Sequence, residues 1–236
     1  MSVPPPGVTS LRGRANAIVA LLMANVAWSV VSIGTVLGEL DILERARDGH
    51  FVSEAEALAS DDRVRTVAMI GLAISVVTMV AWLVWQHRAQ RNLSRLGVRQ
   101  LRFTPGWSVG WWFVPIANLW KPFQSVRELW RGSKAGVDDA FWAGERTWAV
   151  IGWWWGTWLA SNISLRLSVG LSREATIDDY IASDNLALFQ EALSIAAAVL
   201  AIALVRSITR RQAEKVATAP VVPPRPDIQK KAQRGG

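Results

Sequence analysis

The sequence predicts an all-α integral membrane protein with four transmembrane helices, a re-entrant or interfacial tryptophan–proline segment, and an amphipathic helix on the cytoplasmic side. Three observations predict this class. The apolar residues are gathered in four long blocks, a shorter apolar run is interrupted by proline, and basic and acidic connections alternate along the chain. Of the 236 residues, 51% are hydrophobic and 19% are charged, which argues against a disordered chain.

The composition also excludes several kinds of chemistry. Cysteine is absent, which removes disulfides, thiolate catalysis, iron–sulfur clusters and cysteine-ligated zinc. There are two histidines, and no nucleophile-elbow, P-loop or zinc-protease motif is present. We therefore expect no enzyme, no cofactor and no metal site. Tryptophan is the unusual residue, with 14 copies, of which thirteen lie between Trp82 and Trp158.

The four apolar blocks have the length of membrane spans. A bilayer core of about 30 Å needs about 20 helical residues, and only one charged residue, Glu191, interrupts any block. Buried helices of a soluble protein are the competing interpretation, but such helices are usually shorter and carry a polar stripe. The predicted spans are 15–37, 66–85, 147–165 and 186–205.

The charges between the blocks predict the orientation. Arg12 and Arg14 precede the first block, five arginines without an acid lie between Arg88 and Arg102, and the tail after Val205 is strongly basic. The connections 38–65 and 166–185 have an excess of acids. Because lysine and arginine mark the cytoplasmic side, both termini and the connection 86–146 are predicted to be cytoplasmic. This topology accounts for the net charge of +7, so no nucleic-acid partner is needed.

The same pattern divides the chain into three parts. Residues 1–14 are proline-rich and then basic, and the first block is too long for a cleavable signal. We expect a disordered cytoplasmic N-terminus over 1–14, a membrane domain over 15–211, and a disordered basic tail over 212–236.

The apolar run 107–120 breaks the pattern of spans. It has too few residues to cross a bilayer and contains Pro115, so it is expected to enter and return or to lie at the interface. From Pro122 onward the pattern becomes amphipathic, with Phe123, Val126, Leu129 and Trp130 on one face. A fifth span is disfavoured because it would place charged residues at depth and the basic tail outside.

The motif in this region resembles a known family. Trp112, Phe113, Pro115, Asn118, Leu119 and Pro122, followed by Arg127, Glu128 and Trp130, are similar to the W-F-x-P-x-x-N-L-x-x-P signature of the domain of unknown function 4328 family. The resemblance extends from Ala15 to Arg211 and implies a multi-helix membrane domain of a bacterial plasma membrane, without a known activity. Phe123 departs from the family pattern, in which tyrosine is commoner.

The motif is the predicted binding site. Lys121 and Arg127 beside tryptophans suit an anionic lipid headgroup or the acidic segment of a partner membrane protein or second copy. Asn118 is expected to hydrogen-bond the interrupted backbone. The alternative is that the motif only closes the cytoplasmic end of the bundle. The candidate residues are Trp112, Phe113, Pro115, Asn118, Trp120, Lys121, Pro122, Arg127, Glu128 and Trp130.

The spans offer a second hypothesis, a small transporter or channel that uses Glu191 and the polar residues of the third helix. A carboxylate within a span is a functional candidate. The simpler interpretation is an ion pair of Glu191 with Arg166 near the outer surface, with Asn25 and Asn162 as further polar partners. The third helix also has a small-residue ridge, which predicts close helix packing. The ridge consists of Gly152, Gly156, Ala160 and Ser164.

Overall fold

The computed structural model describes residues 7–134, 144, 146–171 and 176–218. This part of the chain is helical and contains no strand, which confirms the all-α class. The six α-helices and one short 3-10 helix are α1 (Arg12–Arg47), α2 (Glu54–Arg95), α3 (Pro105–Gly110), the 3-10 helix (Ala117–Leu119), α4 (Lys121–Gly132), α5 (Ala149–Leu171) and α6 (Ile177–Thr218).

Three of these helices, α1, α2 and α6, are long and apolar enough to cross a membrane. The chain is therefore a multi-pass membrane protein by the length and composition of its helices. The 23-residue helix α5 covers all but the first two residues of the third predicted span, 147–165, but is not among the three. Its four tryptophans, its serines and Arg166 lower its mean hydropathy.

The long helices extend beyond their apolar blocks. With 36 and 42 residues, α1 and α2 are about 54 and 63 Å long, roughly twice the thickness of a bilayer core. The acidic connection between them is thus mostly helical. The Ser53 side chain caps α2 by accepting a hydrogen bond from the Glu56 N–H at 3.2 Å, as the Ser–Glu spacing predicts.

The bundle is arranged around α1 and α6. Helix α1 packs against α2 and α6, and α5 packs against α6. The space between α2 and α5 is filled by aromatic side chains, because the rings of Trp82 and Trp154 stack with centroids 5.2 Å apart. Tryptophan side chains therefore fill the gap between α2 and α5, whose backbones lie further apart than those of the directly packed helices.

The two ends of the bundle differ in charge. The basic end comprises α2 from Gln86, α3, α4 and α6 from Arg206; the acidic end comprises the last turns of α1 and α5 and the first turns of α2 and α6. At the basic end Thr9 donates its N–H to Asn92 Oδ1 at 3.2 Å, and Leu11 is buried. Residues 12–14 and 212–218, which were expected to be disordered, are therefore helical, since α1 begins at Arg12 and α6 continues to Thr218. Residues 1–6 and 219–236 lie outside the described residues.

Candidate functional site

The tryptophan–proline segment, residues 105–132, is attached to α2 by a buried glutamine. Gln86 Oε1 accepts hydrogen bonds from the indole N–H groups of Trp82 at 2.9 Å and Trp112 at 3.1 Å. Its amide donates to the Ser108 carbonyl at 2.8 Å and to Ser125 Oγ at 3.3 Å. All four bonding positions of this buried amide are used, and they join α2, α3, the motif and α4.

A second buried pair lies one helical turn further along α2. Gln90 donates to Glu128 Oε1 at 2.8 Å and to the Phe103 carbonyl at 3.0 Å. Glu128 also accepts from the backbone N–H groups of Arg102 at 2.8 Å and Phe103 at 3.2 Å. Burial raises the pKa of the Glu128 carboxyl, and these hydrogen bonds offset part of that rise. The carboxylate thus holds the turn before α3 against α4.

Trp112 is the apolar anchor of the motif. Its ring is buried between α2 and α5, with centroids 6.5 Å from Trp82 and 5.4 Å from Trp158. The ring of Trp155 lies 5.8 Å away in an edge-to-face arrangement. Because aromatic pairs favour such offset and perpendicular geometries, the cluster gives Trp112 a defined orientation.

The chain reverses at the predicted break. The Ala117 N–H donates to the Pro115 carbonyl at 2.7 Å across Ile116, whose φ is 66° and ψ is −55°. This is a γ-turn with positive φ at a β-branched residue, a rare and strained conformation. The indole N–H of Trp155 donates to the Leu119 carbonyl at 3.0 Å and holds the chain after the turn against α5.

The reversal presents apolar side chains outward. Phe113 is 69% exposed and Ile116 is 72% exposed, and Leu119 and Trp120 are also exposed. Pro115 between them is exposed as well. We call residues 113–120 the apolar tip. An apolar cluster of this kind outside the core is typical of a surface that meets a membrane or a partner.

The predicted cations lie just after the tip. Lys121 Nζ lies 5.3 Å from the centroid of the Trp111 ring, and the Arg127 guanidinium lies 5.5 Å from that of Phe123. Pro122 is buried at the start of α4, where its missing N–H leaves no helical bond unmade. The amphipathic helix is thus confirmed, with Val126, Leu129 and Trp130 buried.

Asn118 does not have the predicted role. Its side-chain oxygen is buried without a hydrogen-bond partner in the described part of the chain. The backbone around the break is bonded locally instead, with the Asn118 N–H donating to the Val114 carbonyl at 2.9 Å. The turn itself thus satisfies the groups that we expected the Asn118 amide to satisfy.

The predicted pair of Glu191 and Arg166 is wrong. No ion pair joins them among the described residues, and Arg166 is exposed. Helix α5 faces α6 with Ser161 and Ser168, which bond Ser194 and Ser183. Arg166 is therefore rotated away from α6.

The other polar residues of the spans make separate contacts. Asn162 donates to the Trp158 carbonyl of its own helix at 2.8 Å. Asn25 bonds Thr78 at 2.7 Å and Ser75 at 3.2 Å on α2. The residues named for a transport path are thus not brought together around Glu191.

The small-residue ridge of α5 is only partly at a helix contact. Ser164 is buried, but Gly152 and Gly156 are exposed, and a Cβ at either position meets open space. The expectation of close packing along the whole ridge is wrong because the α6-facing stripe of α5 is displaced towards Ser161 and Ser168.

Sequence reasoning missed the buried amides of the basic end. Besides Gln86 and Gln90, Gln212 of α6 donates to the Ala89 carbonyl at 2.9 Å and accepts from Asn92 at 3.2 Å. The available signal was the spacing of Gln86 and Gln90, which places two amides on one face of α2 immediately after an apolar block.

The comparisons with known proteins agree with the family resemblance. The family model that matches is a domain of unknown function (DUF4328), and it covers residues 48–210, from just before α2 through most of α6, leaving α1 outside. No curated protein and no solved structure matches the chain significantly. The family match spans well over half of the chain and includes the entire tryptophan–proline segment. The chain therefore belongs to the DUF4328 family.

Proposed function

We propose that the chain is a four-span protein of a bacterial plasma membrane, with its basic end and both termini in the cytoplasm. Support for α5 as the fourth span comes from its packing along α6, through Ser161–Ser194 at 2.7 Å and Ser168–Ser183 at 3.0 Å. Its exposed positions are mostly apolar, with Trp153 at 71%, and Arg166 is exposed in the C-terminal half of the helix. The orientation follows from the basic residues of one end.

We propose further that the tryptophan–proline segment binds anionic lipid at the cytoplasmic interface, and so acts as a lipid-organising module. The observation that carries this proposal is the exposed apolar tip with Lys121 and Arg127 directly beside it. Transfer of the exposed Phe113 and Ile116 side chains from water into the membrane is favourable, by about 25 cal/mol per Å² of apolar surface. A base near an anionic surface adds about 1 kcal/mol.

The frame behind the tip suits this role. Gln86 and Glu128 hold the two sides of the reversal by buried hydrogen bonds, and Trp112 fills the space between α2 and α5. A tip held in this way presents its side chains with little further loss of conformational entropy on binding. The strained γ-turn at Ile116 fits the same interpretation. A strained backbone conformation persists only where the surrounding contacts hold it in place, and such conformations are commonest at functional sites.

A local probe tests the proposal. The chain lacks cysteine, so Phe113→Cys carries a single fluorescent label on the tip. In bilayers, nitroxide-labelled phosphatidylglycerol is expected to quench this label more strongly than nitroxide-labelled phosphatidylcholine at equal content. Lys121→Ala with Arg127→Ala is expected to remove that preference, while the melting temperature changes little because each partly exposed cation over an aromatic ring contributes only about 0.5–1 kcal/mol.

The matched control is a double variant of exposed arginines at the acidic end, Arg63→Ala with Arg65→Ala. It removes the same number of charges and is expected to leave the quenching preference unchanged. Equal quenching by the two lipids in the labelled Phe113→Cys chain, without any charge substitution, would overturn the proposed lipid binding by the tip.

A further inference from the structure

A groove of about 790 Å³ opens at the basic end, between α4, the residues leading into α5, and α6. Four arginines line it: Arg146, Arg206, Arg210 and Arg211. Arg210 lies 3.6 Å from the carboxylate of Glu214, in a pair that is largely exposed. Arg146 and Arg206 are exposed and have no ion-pair partner within the described ranges. The groove thus gathers four guanidinium groups, and among the described residues Arg146 and Arg206 form no ion pair.

An aromatic wall fixes part of this charge. The rings of Trp130 and Trp148 stack with centroids 6.1 Å apart and planes 24° apart. The Arg211 guanidinium lies 3.6 Å from the centroid of Trp130, and its Nη1 donates to the Trp130 carbonyl at 3.3 Å. A stacked guanidinium keeps a defined orientation, and guanidinium groups match the geometry of phosphate oxygens.

The groove lies where the apolar part of α6 ends. The predicted span of α6 finishes at Val205, and Arg206 is the first base after it. Helix α5 begins at Ala149, which also lines the groove, and the first N–H groups of a helix lack acceptors within the helix. With α5 and α6 spanning the membrane, these cations stand at the depth of the lipid phosphates.

A shallow apolar strip continues from the groove towards the middle of the bundle. Gly152 and Gly156 follow Ala149 by three and seven residues, so they share its face of α5. Both are exposed, and a Cβ at either position meets open space. On α6, Val199 lies one turn before the groove residue Ala203 and is exposed. The side-chain-free backbone of the glycines leaves room for a hydrocarbon chain along this exposed face of α5.

We propose that the groove binds the phosphate of an anionic phospholipid, with an acyl chain of the same molecule along the glycine strip. The proposal rests on the membrane placement proposed above but uses a different site, because neither Lys121 nor Arg127 lines the groove. The shared chemistry is a phosphate anion, which a lipid or free phosphate could supply. The glycine strip favours a lipid as the source of this phosphate, since free phosphate has no apolar part that could contact the strip.

The test uses a second local probe. The label is placed at Trp153→Cys, an exposed position beside Gly152 and Gly156. Nitroxide-labelled phosphatidylglycerol is expected to quench it more strongly than phosphatidylcholine. Arg146→Ala with Arg206→Ala is expected to weaken this preference at least tenfold, because it removes two cations that would donate charge-assisted hydrogen bonds to the phosphate. The same variant is expected to leave the preference at a label on residue 113 unchanged.

The crossed variants separate the two proposals. Lys121→Ala with Arg127→Ala is expected to change the preference at residue 113 but not at residue 153. If that pair removes the preference at both labels and the arginine pair at neither, the groove proposal is overturned and the tip proposal stands. If the arginine pair acts at residue 153 while the tip shows no preference at all, the tip proposal fails alone. A melting curve of each variant verifies that it is folded.

A variant of the strip distinguishes lipid from free phosphate. Gly156→Leu adds a side chain into open space, so it is expected to fold normally and to displace the acyl chain. It should reduce the quenching preference at residue 153, whereas inorganic phosphate at millimolar concentration should not compete with the lipid. If phosphate abolishes the preference and Gly156→Leu has no effect, the groove takes free phosphate and the lipid assignment is wrong.

Discussion

The two ends of the bundle differ in how they accommodate carboxyl groups that are withdrawn from water: Glu128 is buried at the basic end, and Glu39 and Asp184 are half-buried at the acidic end. At the basic end Glu128 receives hydrogen bonds from two backbone N–H groups and from Gln90. At the acidic end Glu39 and Asp184 lie close enough to interact, and no comparable set of donors surrounds them in the described residues. Burial, with the charges of Asp184 and Asp61, raises the pKa of Glu39 to about 7. Burial raises the pKa of Asp184 to about 6.

This difference shows two physical solutions to one problem. A carboxylate taken out of water must be hydrogen-bonded, or it takes up a proton. The basic end uses donors, which fix the backbone before α3 in one arrangement. At the acidic end the raised pKa values of Glu39 and Asp184 favour the protonated forms, so we expect the stability of that end to depend on pH. The proposed binding surfaces lie at the end whose frame is held by hydrogen bonds.

The largest expected effect comes from breaking the frame of the basic end. Gln86→Leu keeps the side-chain volume but leaves the indole N–H groups of Trp82 and Trp112 without their acceptor. The free energy of unfolding is expected to fall by about 2–4 kcal/mol, because each unsatisfied buried group costs about 1–3 kcal/mol. Thermal unfolding in detergent, followed by tryptophan fluorescence, measures it.

A polar variant at the same position sharpens that result. Gln86→Glu retains an acceptor for both indoles and is expected to unfold at a higher temperature than Gln86→Leu at low pH. A Gln86→Leu variant as stable as the unmodified chain would show that buried hydrogen bonds do not hold the frame of the basic end.

An intermediate effect is expected from Glu39→Gln. The folded-state pKa of Glu39, about 7, lies above its ordinary value of 4.5, so the folded state holds the proton more tightly than the unfolded state. Stability from this group is therefore complete below about pH 4.5 and is lost as the pH rises to about 7. The variant cannot ionise and should be more stable than the unmodified chain at pH 8, by about 1 kcal/mol after solvent screening.

The measurement is the melting temperature between pH 5 and pH 8. Glu39→Gln is expected to flatten its decrease with pH, whereas Glu44→Gln, an exposed neighbour on the same helix, should leave it unchanged. An identical slope in Glu39→Gln and the unmodified chain would contradict the proposed protonation of the acidic end.

The smallest effect is expected between the two ends, at Glu191. No hydrogen bond or ion pair holds this side chain among the residues described, and it is partly exposed. Glu191→Ala should therefore change the free energy of unfolding by less than about 0.5 kcal/mol. Differential scanning fluorimetry in detergent is sufficient to test this. A loss above 2 kcal/mol would indicate a partner that the bundle does not show.

Local chemistry was readable from the sequence wherever neighbouring residues decide the outcome. The apolar blocks predicted the four long helices, Pro122 predicted the start of α4, and Pro115 predicted the break in the apolar run. The motif also identified the family. Each of these rests on contacts within a few residues, such as a cap, a missing N–H or a restricted φ.

The rotation of each helix was decided only by the tertiary structure. A helix that is apolar all round carries no stripe to indicate which side meets its neighbour. The sequence therefore could not show that α5 faces α6 with Ser161 and Ser168, that Gly152 and Gly156 stay open, or that Arg166 turns away from α6.

Long-range polar contacts were decided in the same way. Gln86 acquires its partners from α3 and α4, 22 and 39 residues away, and the arginine groove combines residues of α6 with those that lead into α5. Sequence by itself determined the four long helical segments, the amphipathic helix and the place at which the chain breaks, while the side of the membrane that the charges favour stays a prediction. Only the packing of the helices decided which side chains meet, because burial and hydrogen bonding depend on partners that are distant in the chain.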